Sequence, residues 1–128
     1  MSDKNNRPTI VTKDSRGRAE VRRYAFPSVE VSAIGVASAL EVVSAGESEV
    51  CLVSITVSDT TNADERASFC IVDAGGVPSA ANIAIQNWKV GAHSIGEVEI
   101  MLNPGQSLYV YATAANSIRV SGWITAYL

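Results

Sequence analysis

From Ser28 onward the sequence is a succession of short runs in which apolar and polar residues alternate, each closed by a cluster of turn residues. The run from Ser48 to Ser58 is the most regular of them. Cys51, Val53, Ile55 and Val57 fall on one side, opposed by Val50, Leu52, Ser54 and Thr56. A period of two is the mark of a strand with one buried face. The same pattern recurs in Val29, Val31 and Ala33, in Phe69 and Ile71, in Ile83, Ile85 and Asn87 against Ala84, Gln86 and Trp88, and in Val98, Ile100 and Leu102 against Glu97, Glu99 and Met101. Breaks at Asp59 to Glu65, Asp73 to Pro78 and Gly91 to Gly96 separate the runs. Leu40, Val42 and Val43 form a further strand, although a helix from Val36 to Ala45 competes there because Ala and Leu favour helix. About eight strands at this spacing predict an all-β fold, a single antiparallel β-sandwich or jelly roll spanning residues 28–128.

A chain of 128 residues, 47% hydrophobic, has room for one such domain and no second. The opening segment has no apolar stretch of the kind an export signal needs, and no apolar run approaches the roughly 18 residues of a membrane span. The expectation is a protein without a cleaved signal and without a membrane partner.

Residues 1–27 read differently, as an extended basic arm. After the first Met their only sizeable aliphatic residues are Ile10, Val11 and Val21, too few to offset the entropy of ordering the segment by itself. A short helical turn from Asp14 to Arg23 competes, weakened by Gly17. The arm holds seven basic side chains, Lys4, Arg7, Lys13, Arg16, Arg18, Arg22 and Arg23, against three acidic ones, a net +4. Residues 28–128 hold three basic against ten acidic groups, a net −7, so the overall −3 conceals a basic arm on an acidic body. Arg7, Lys13, Arg16, Arg18, Arg22 and Arg23 are candidates for contact with a partner. Tyr24 and Phe26, just before Pro27, are candidates to plug a hydrophobic socket on the body or on that partner. Electrostatic docking to the acidic body of a neighbouring copy accounts for both halves of the asymmetry. Binding of nucleic-acid phosphates is the weaker reading, because only Tyr24 and Phe26 lie near enough to stack on bases.

The end of the chain, LNPGQSLYVYATAANSIRVSGWITAYL, reads as a closing β-hairpin. Leu108, Val110 and Ala112 line one face of its first strand and Tyr109 and Tyr111 the other; Ile118, Val120, Gly122, Ile124 and Ala126 alternate with Arg119, Ser121, Trp123, Thr125 and Tyr127 on its second. Were Tyr109, Tyr111, Trp123 and Tyr127 to share the outward face, they would form an apolar patch, an intersubunit interface or a platform for sugar rings.

Catalytic chemistry is hard to assemble from these residues. His93 is the single histidine, its neighbour Ser94 stands on no nucleophile elbow, and the DAGG run at Asp73 lacks the lysine of a phosphate-cradling loop. One histidine and two cysteines fall short of a zinc site. Asp59, Asp64, Glu65 and Asp73 have no EF-hand spacing, and Glu97 with Glu99 reads as a wet strand or the counterpart of a basic partner. Neither an enzyme nor a bound metal or cofactor is expected. Cys51 and Cys70 lie equally far from the turn at Thr60 and Thr61, so a symmetric hairpin would set them opposite each other; the reading favoured over a bond is two reduced thiols behaving as small core hydrophobes.

The closing motif is similar to the final strands of small β-sandwich virion proteins of tailed bacteriophages, which end in a turn, an L-x-V-x-A strand and a Gly-containing return strand. The matching residues are Pro104, Gly105, Leu108, Val110, Ala112, Val120 and Gly122, and the resemblance covers about the last 80 residues. It implies a structural protein of the virion, assembled in the host cytoplasm, that decorates or cements a capsid or belongs to a tail or fibre. Such proteins commonly form homotrimers and attach to a larger capsid or tail protein. The resemblance transfers no site residues.

Overall fold

The alternating runs fold as strands. The computed structural model describes the backbone of residues 9–13 and 19–127, and side chains from Val21 onward. Among the described residues nine strands follow one another: β1 (Thr9–Lys13), β2 (Ala19–Glu30), β3 (Leu40–Ser44), β4 (Val50–Asp59), β5 (Glu65–Val72), β6 (Ile83–Val90), β7 (Ile95–Leu102), β8 (Ser107–Ala112) and β9 (Ile118–Tyr127). They build two antiparallel sheets, one of five strands in the order β1-β2-β9-β4-β7 and one of four in the order β3-β8-β5-β6. From β2 to β9 this order is an eight-stranded jelly roll, and β1 extends one sheet by a hairpin with β2.

The core lies between the sheets. Cys51, Val53, Ile55 and Val57 of β4 point into it, as their alternation requires, and join Phe69, Leu102, Leu108, Val110, Ile118, Val120 and Ile124 in one buried cluster. Asp59 closes the inward row of β4 at 3% exposure, held by the backbone N–H and the hydroxyl of Thr61. Between Gly35 and β3 there is a single 3-10 turn, Val36–Ser38, and Leu40 to Ser44 are strand, so the competing helix does not form.

Three expectations change. The closing hairpin does not exist: β8 pairs with β3 and β5, whereas β9 pairs with β2 and β4 in the opposite sheet. Alternation dictates which face of a strand is buried but not its partner, and residues 113–117, about 16 Å when extended, bridge the roughly 10 Å between sheets. Secondly, β6 changes phase at Asn87, whose φ of 52° lies in the left-handed region. Ile85 therefore faces the core together with Trp88 and Val90, although strict alternation would place Trp88 outside. The Trp88 ring crosses the sandwich to β7 and occupies the volume that a side chain at Gly96 would need. Thirdly, Cys51 and Cys70 stand on different sheets and do not face each other across a hairpin; both are free and buried, as the reading of two reduced thiols expects. Burial pushes both thiols up, so they stay protonated.

The N-terminal segment enters the sheet earlier than its composition suggests. β2 begins at Ala19, pairs with β9 from Val21, and runs through the expected boundary between Pro27 and Ser28. Over its described part the competing helical turn from Asp14 to Arg23 is strand. The ladder slips between Phe26 and Val29, a bulge at Pro27 and Ser28 where a residue without an N–H costs no hydrogen bond. The slip lets Phe26, Val29 and Val31 all face the core.

Candidate functional site

Antiparallel register sets out the outer face of the five-stranded sheet row by row. One row runs Arg23, Thr125, Leu52, Met101; the next runs Ala25, Trp123, Ser54, Glu99; the next brings Ser121, Thr56 and Glu97 side by side. Small hydroxyl residues on β4 thus lie between a tryptophan on β9 and two carboxylates on β7. Strands about 4.8 Å apart put Trp123 and Glu99 on the order of 10 Å from each other with only Ser54 between them. The result is an open pocket of about 230 Å³ with Ser54 and Thr56 as floor and Trp123, Glu97 and Glu99 as walls. At the adjoining Gly122 (φ 156°), β9 passes so close to β4 that a Cβ would fall on the carbonyl oxygen of Ser54. Glycine is what permits the approach.

The pocket's rim is already used once by a cation. The guanidinium of Arg23 lies 5.2 Å from the centroid of the Trp123 ring, within the range of a cation–π contact. Among the described residues neither Glu97 nor Glu99 has an ion-pair partner. Apolar side chains lie exposed around it: Trp123 at 36%, Tyr127 at 44%, Met101 at 54% and Ile95 at 70%.

The four candidate aromatics are divided by the crossover of β9. Trp123 and Tyr127 stand on the outer face of the five-stranded sheet, and Tyr109 and Tyr111 on the outer face of the four-stranded one, so they do not share a platform. Tyr109 donates its hydroxyl hydrogen to Glu41 at 3.2 Å; desolvation, and then the charge of Glu41, raise its pKa.

The candidate arm residues part company as well. Arg7, Arg16 and Arg18 lie outside the described residues, and of Lys13 only the backbone, at the end of β1, is described. Arg23 and Arg22 are neighbours on β2 with opposite orientations. Arg22 turns toward the core side, where its Nη2 donates to Glu49 Oε2 at 3.2 Å and its guanidinium lies 4.9 Å from the centroid of Tyr24. Tyr24 packs half-buried against the core cluster, and Phe26, at 6% exposure, belongs to it. Within the molecule, then, Phe26 fills the body's own socket. Sequence reasoning passed over the Trp123 pocket because its parts come from three strands far apart in the chain. The pairing of Glu97 and Glu99 on one face was the legible signal.

Elsewhere the polar side chains are engaged locally. His93, itself at φ 53°, contacts Asn62 through Nε2, while Ser94 donates to the carbonyl of Ala92 and not to His93. Asp64 pairs with Lys89 at 3.1 Å, Glu65 accepts from Thr113, and Asp73 accepts from Gln106. Among the described residues no three His, Cys, Asp or Glu side chains gather as a metal site would need. No helix among them is long and apolar enough to cross a membrane.

No family model matches the chain, and no curated protein matches it in sequence. Among solved structures it is similar to a chain of the Bacillus endospore appendages, which form disulfide-linked pili, with a TM-score of 0.54 and 13% identity over 92% of this chain and 96% of that one. It is also similar to a chain of the infectious bursal disease virus particle, with a TM-score of 0.53 and 9% identity over 87% of this chain and 32% of that one. The VP2 subviral particle of the same virus gives 0.50 and 8%, over 87% and 34%. The chain thus spans about a third of the length of these virus chains. At such identities the likeness is one of fold: a sandwich of two antiparallel sheets found in viral capsid and pilus subunits.

Proposed function

We propose that this chain is a non-enzymatic structural protein of a phage virion, a capsid decoration or cement protein. It oligomerises through its β-sandwich and holds neighbouring subunits with the basic residues of its N-terminal segment. Its partners are further copies of itself, as a trimer, and a larger capsid or tail protein. The observation that carries the reading is the junction, in one chain, of a jelly roll with an exposed acidic and aromatic sheet face and an N-terminal segment of opposite charge. Proteins of the same fold in infectious bursal disease virus form particles, which supports assembly as the use of such a sandwich.

The test is the state of the purified full chain. Light scattering and electron microscopy are expected to show a closed symmetric oligomer that cosediments with virions and dissociates as salt rises. A monomer at high micromolar concentration that leaves virions undecorated would overturn the proposal.

A tail or fibre subunit that binds carbohydrate is the second reading, favoured by one observation, the exposed Trp123 beside a pocket with hydroxyl and carboxylate groups. Glycan-array binding that disappears in Trp123→Ala would establish it.

A further inference from the structure

We infer that two copies of this chain pair through the outer faces of their five-stranded sheets, about a two-fold axis parallel to the strands. Trp123 of each copy enters the pocket above Ser54 of the other, and Arg23 of each meets Glu99 of the other. The inference rests on the self-association proposed above and adds to the trimer a two-fold contact between copies.

The shape of the face is self-complementary about this axis. Strands β2, β9, β4 and β7 follow one another across it, about 4.8 Å apart. A two-fold axis that lies in the interface, between β9 and β4 and along them, lays β2 over the partner's β7 and β9 over the partner's β4. Position along the strands is kept. Trp123 of β9 and Ser54 of β4 stand in one row, so each indole comes to lie over the partner's Ser54. That is the open side of the pocket of about 230 Å³, which a serine side chain leaves unfilled. The protruding ring and the hollow beside it are two halves of one contact, made twice.

The charges obey the same axis. Arg23 stands on β2 at one side of the face, and Glu97 and Glu99 on β7 at the other, about 14 Å away across three strand spacings. Arg119 is opposed by Glu30 of its own chain and tips neither side. A two-fold axis running across the strands would lay the acidic β7 on its own copy, whereas the axis along them brings unlike charges together. Arg23 lies in the row of Met101, one row from Glu99, but its guanidinium leans on the Trp123 ring, 5.2 Å from the centroid, and so toward the row of Glu99. There it stacks on its own indole and donates to the partner's carboxylate at the same time. Met101, 54% exposed, is covered by the aliphatic stem of the partner's Arg23. Four strands over eight residues measure roughly 19 by 27 Å, about 500 Å² per copy and about 1,000 Å² in all, the size at which specific interfaces begin.

Sedimentation of the full chain tests this. The wild type is expected to run as an even-numbered species, a dimer or a pair of trimers. Trp123→Ala and Arg23→Glu are each expected to weaken that pairing at least about 10-fold with unchanged circular dichroism. Arg23→Glu combined with Glu99→Arg is expected to regain most of the loss, which damage to the fold does not allow. A photoreactive phenylalanine at position 101 is expected to crosslink to residues 21–25 of another copy, identified by mixing isotopically labelled and unlabelled chains. An odd-numbered species at every concentration, single substitutions without effect in a chain that self-associates, a charge swap that regains nothing, or crosslinks that map elsewhere overturn the inference and leave the structural reading standing. A wild-type chain that never self-associates overturns both.

Discussion

The two outer faces of the sandwich are made from the same kind of alternating strand and end up unlike. On the four-stranded sheet the outward row of β5, Ser68, Cys70 and Val72, is 1%, 0% and 3% exposed although it points away from the core. The chain itself covers it. Asn87 donates its backbone N–H to the hydroxyl of Ser68, a Cβ on Gly76 would lie 3.0 Å from Val72, and Tyr109 and Ile83 flank Cys70 in register. The corresponding row of β4 on the five-stranded sheet, Leu52, Ser54, Thr56 and Ser58, is half-exposed and overlaid by nothing among the described residues. One face is therefore closed by local loops and the other stays open among the described residues. The difference comes from where the long connections run: the Gly-rich segment from Asp73 to Ala81 arises at the end of β5 and folds back beside it.

The same substitution on both faces gives the largest contrast. Cys70→Lys puts an ammonium where the thiol is fully buried, and is expected to destabilise the fold by about 3 to 5 kcal/mol. Ser54→Lys on the open face is expected to change stability by no more than about 0.5 kcal/mol. Denaturant unfolding of the two variants measures both. Equal losses would mean that the open face is as covered as the closed one. Ser54→Lys also places a cation beside Glu99 within the molecule, so it should lower self-association while leaving the melt intact.

The comparison also shows why part of the molecule was legible and part was not. Inward residues of β4 and β7 follow from alternation alone, because burial of one face is a property of each strand by itself. The pairing of β8 with β3 and β5 is not such a property, and a regular pair of alternating runs around a short turn looks the same whether the chain doubles back or crosses to the other sheet. Trp88 was misplaced for a related reason: a single left-handed residue at Asn87 reverses the phase of everything after it, and only the identity of the residue, Asn, hints at that freedom. Strand β2 was hidden behind Arg22 and Arg23, whose charge argued for solvent. Gly122 was read as a member of an alternating strand, whereas the close approach it allows beside the pocket required the register of β4 to be known.

Arg22 and Arg23 repeat the contrast on a smaller scale. Arg22→Met removes the bond to Glu49 and the contact with Tyr24 and leaves a carboxylate whose side chain is only 17% exposed. A loss of about 1 to 2 kcal/mol is expected, discounted from a fully buried pair because Arg22 itself is 38% exposed. Arg23→Met removes only the stacking on Trp123 and is expected to cost about 0.5 kcal/mol or less. A ranking of the two melts in the reverse order would place the structural arginine on the outside of the sheet.

The smallest effect concerns the edge where the closed sheet meets solvent. The backbone N–H of Ala92 at 3.0 Å, and then Lys89 at 3.1 Å, hold the Asp64 carboxyl below the ordinary carboxylate range. A carboxyl whose pKa is lower in the folded chain binds its proton more readily when unfolded, so acidification favours unfolding. The contribution of Asp64 is thus complete above its unfolded pKa of about 4 and is lost as pH falls through the lower folded value. Asp64→Asn should melt slightly below wild type at neutral pH, and the gap should close as the pH falls below about 4. Since Asp64 is exposed, raising the ionic strength should narrow the part of that gap carried by Lys89 and leave the part carried by the Ala92 N–H. A gap that widens on acidification would show that the carboxyl is held in its charged form by neither group.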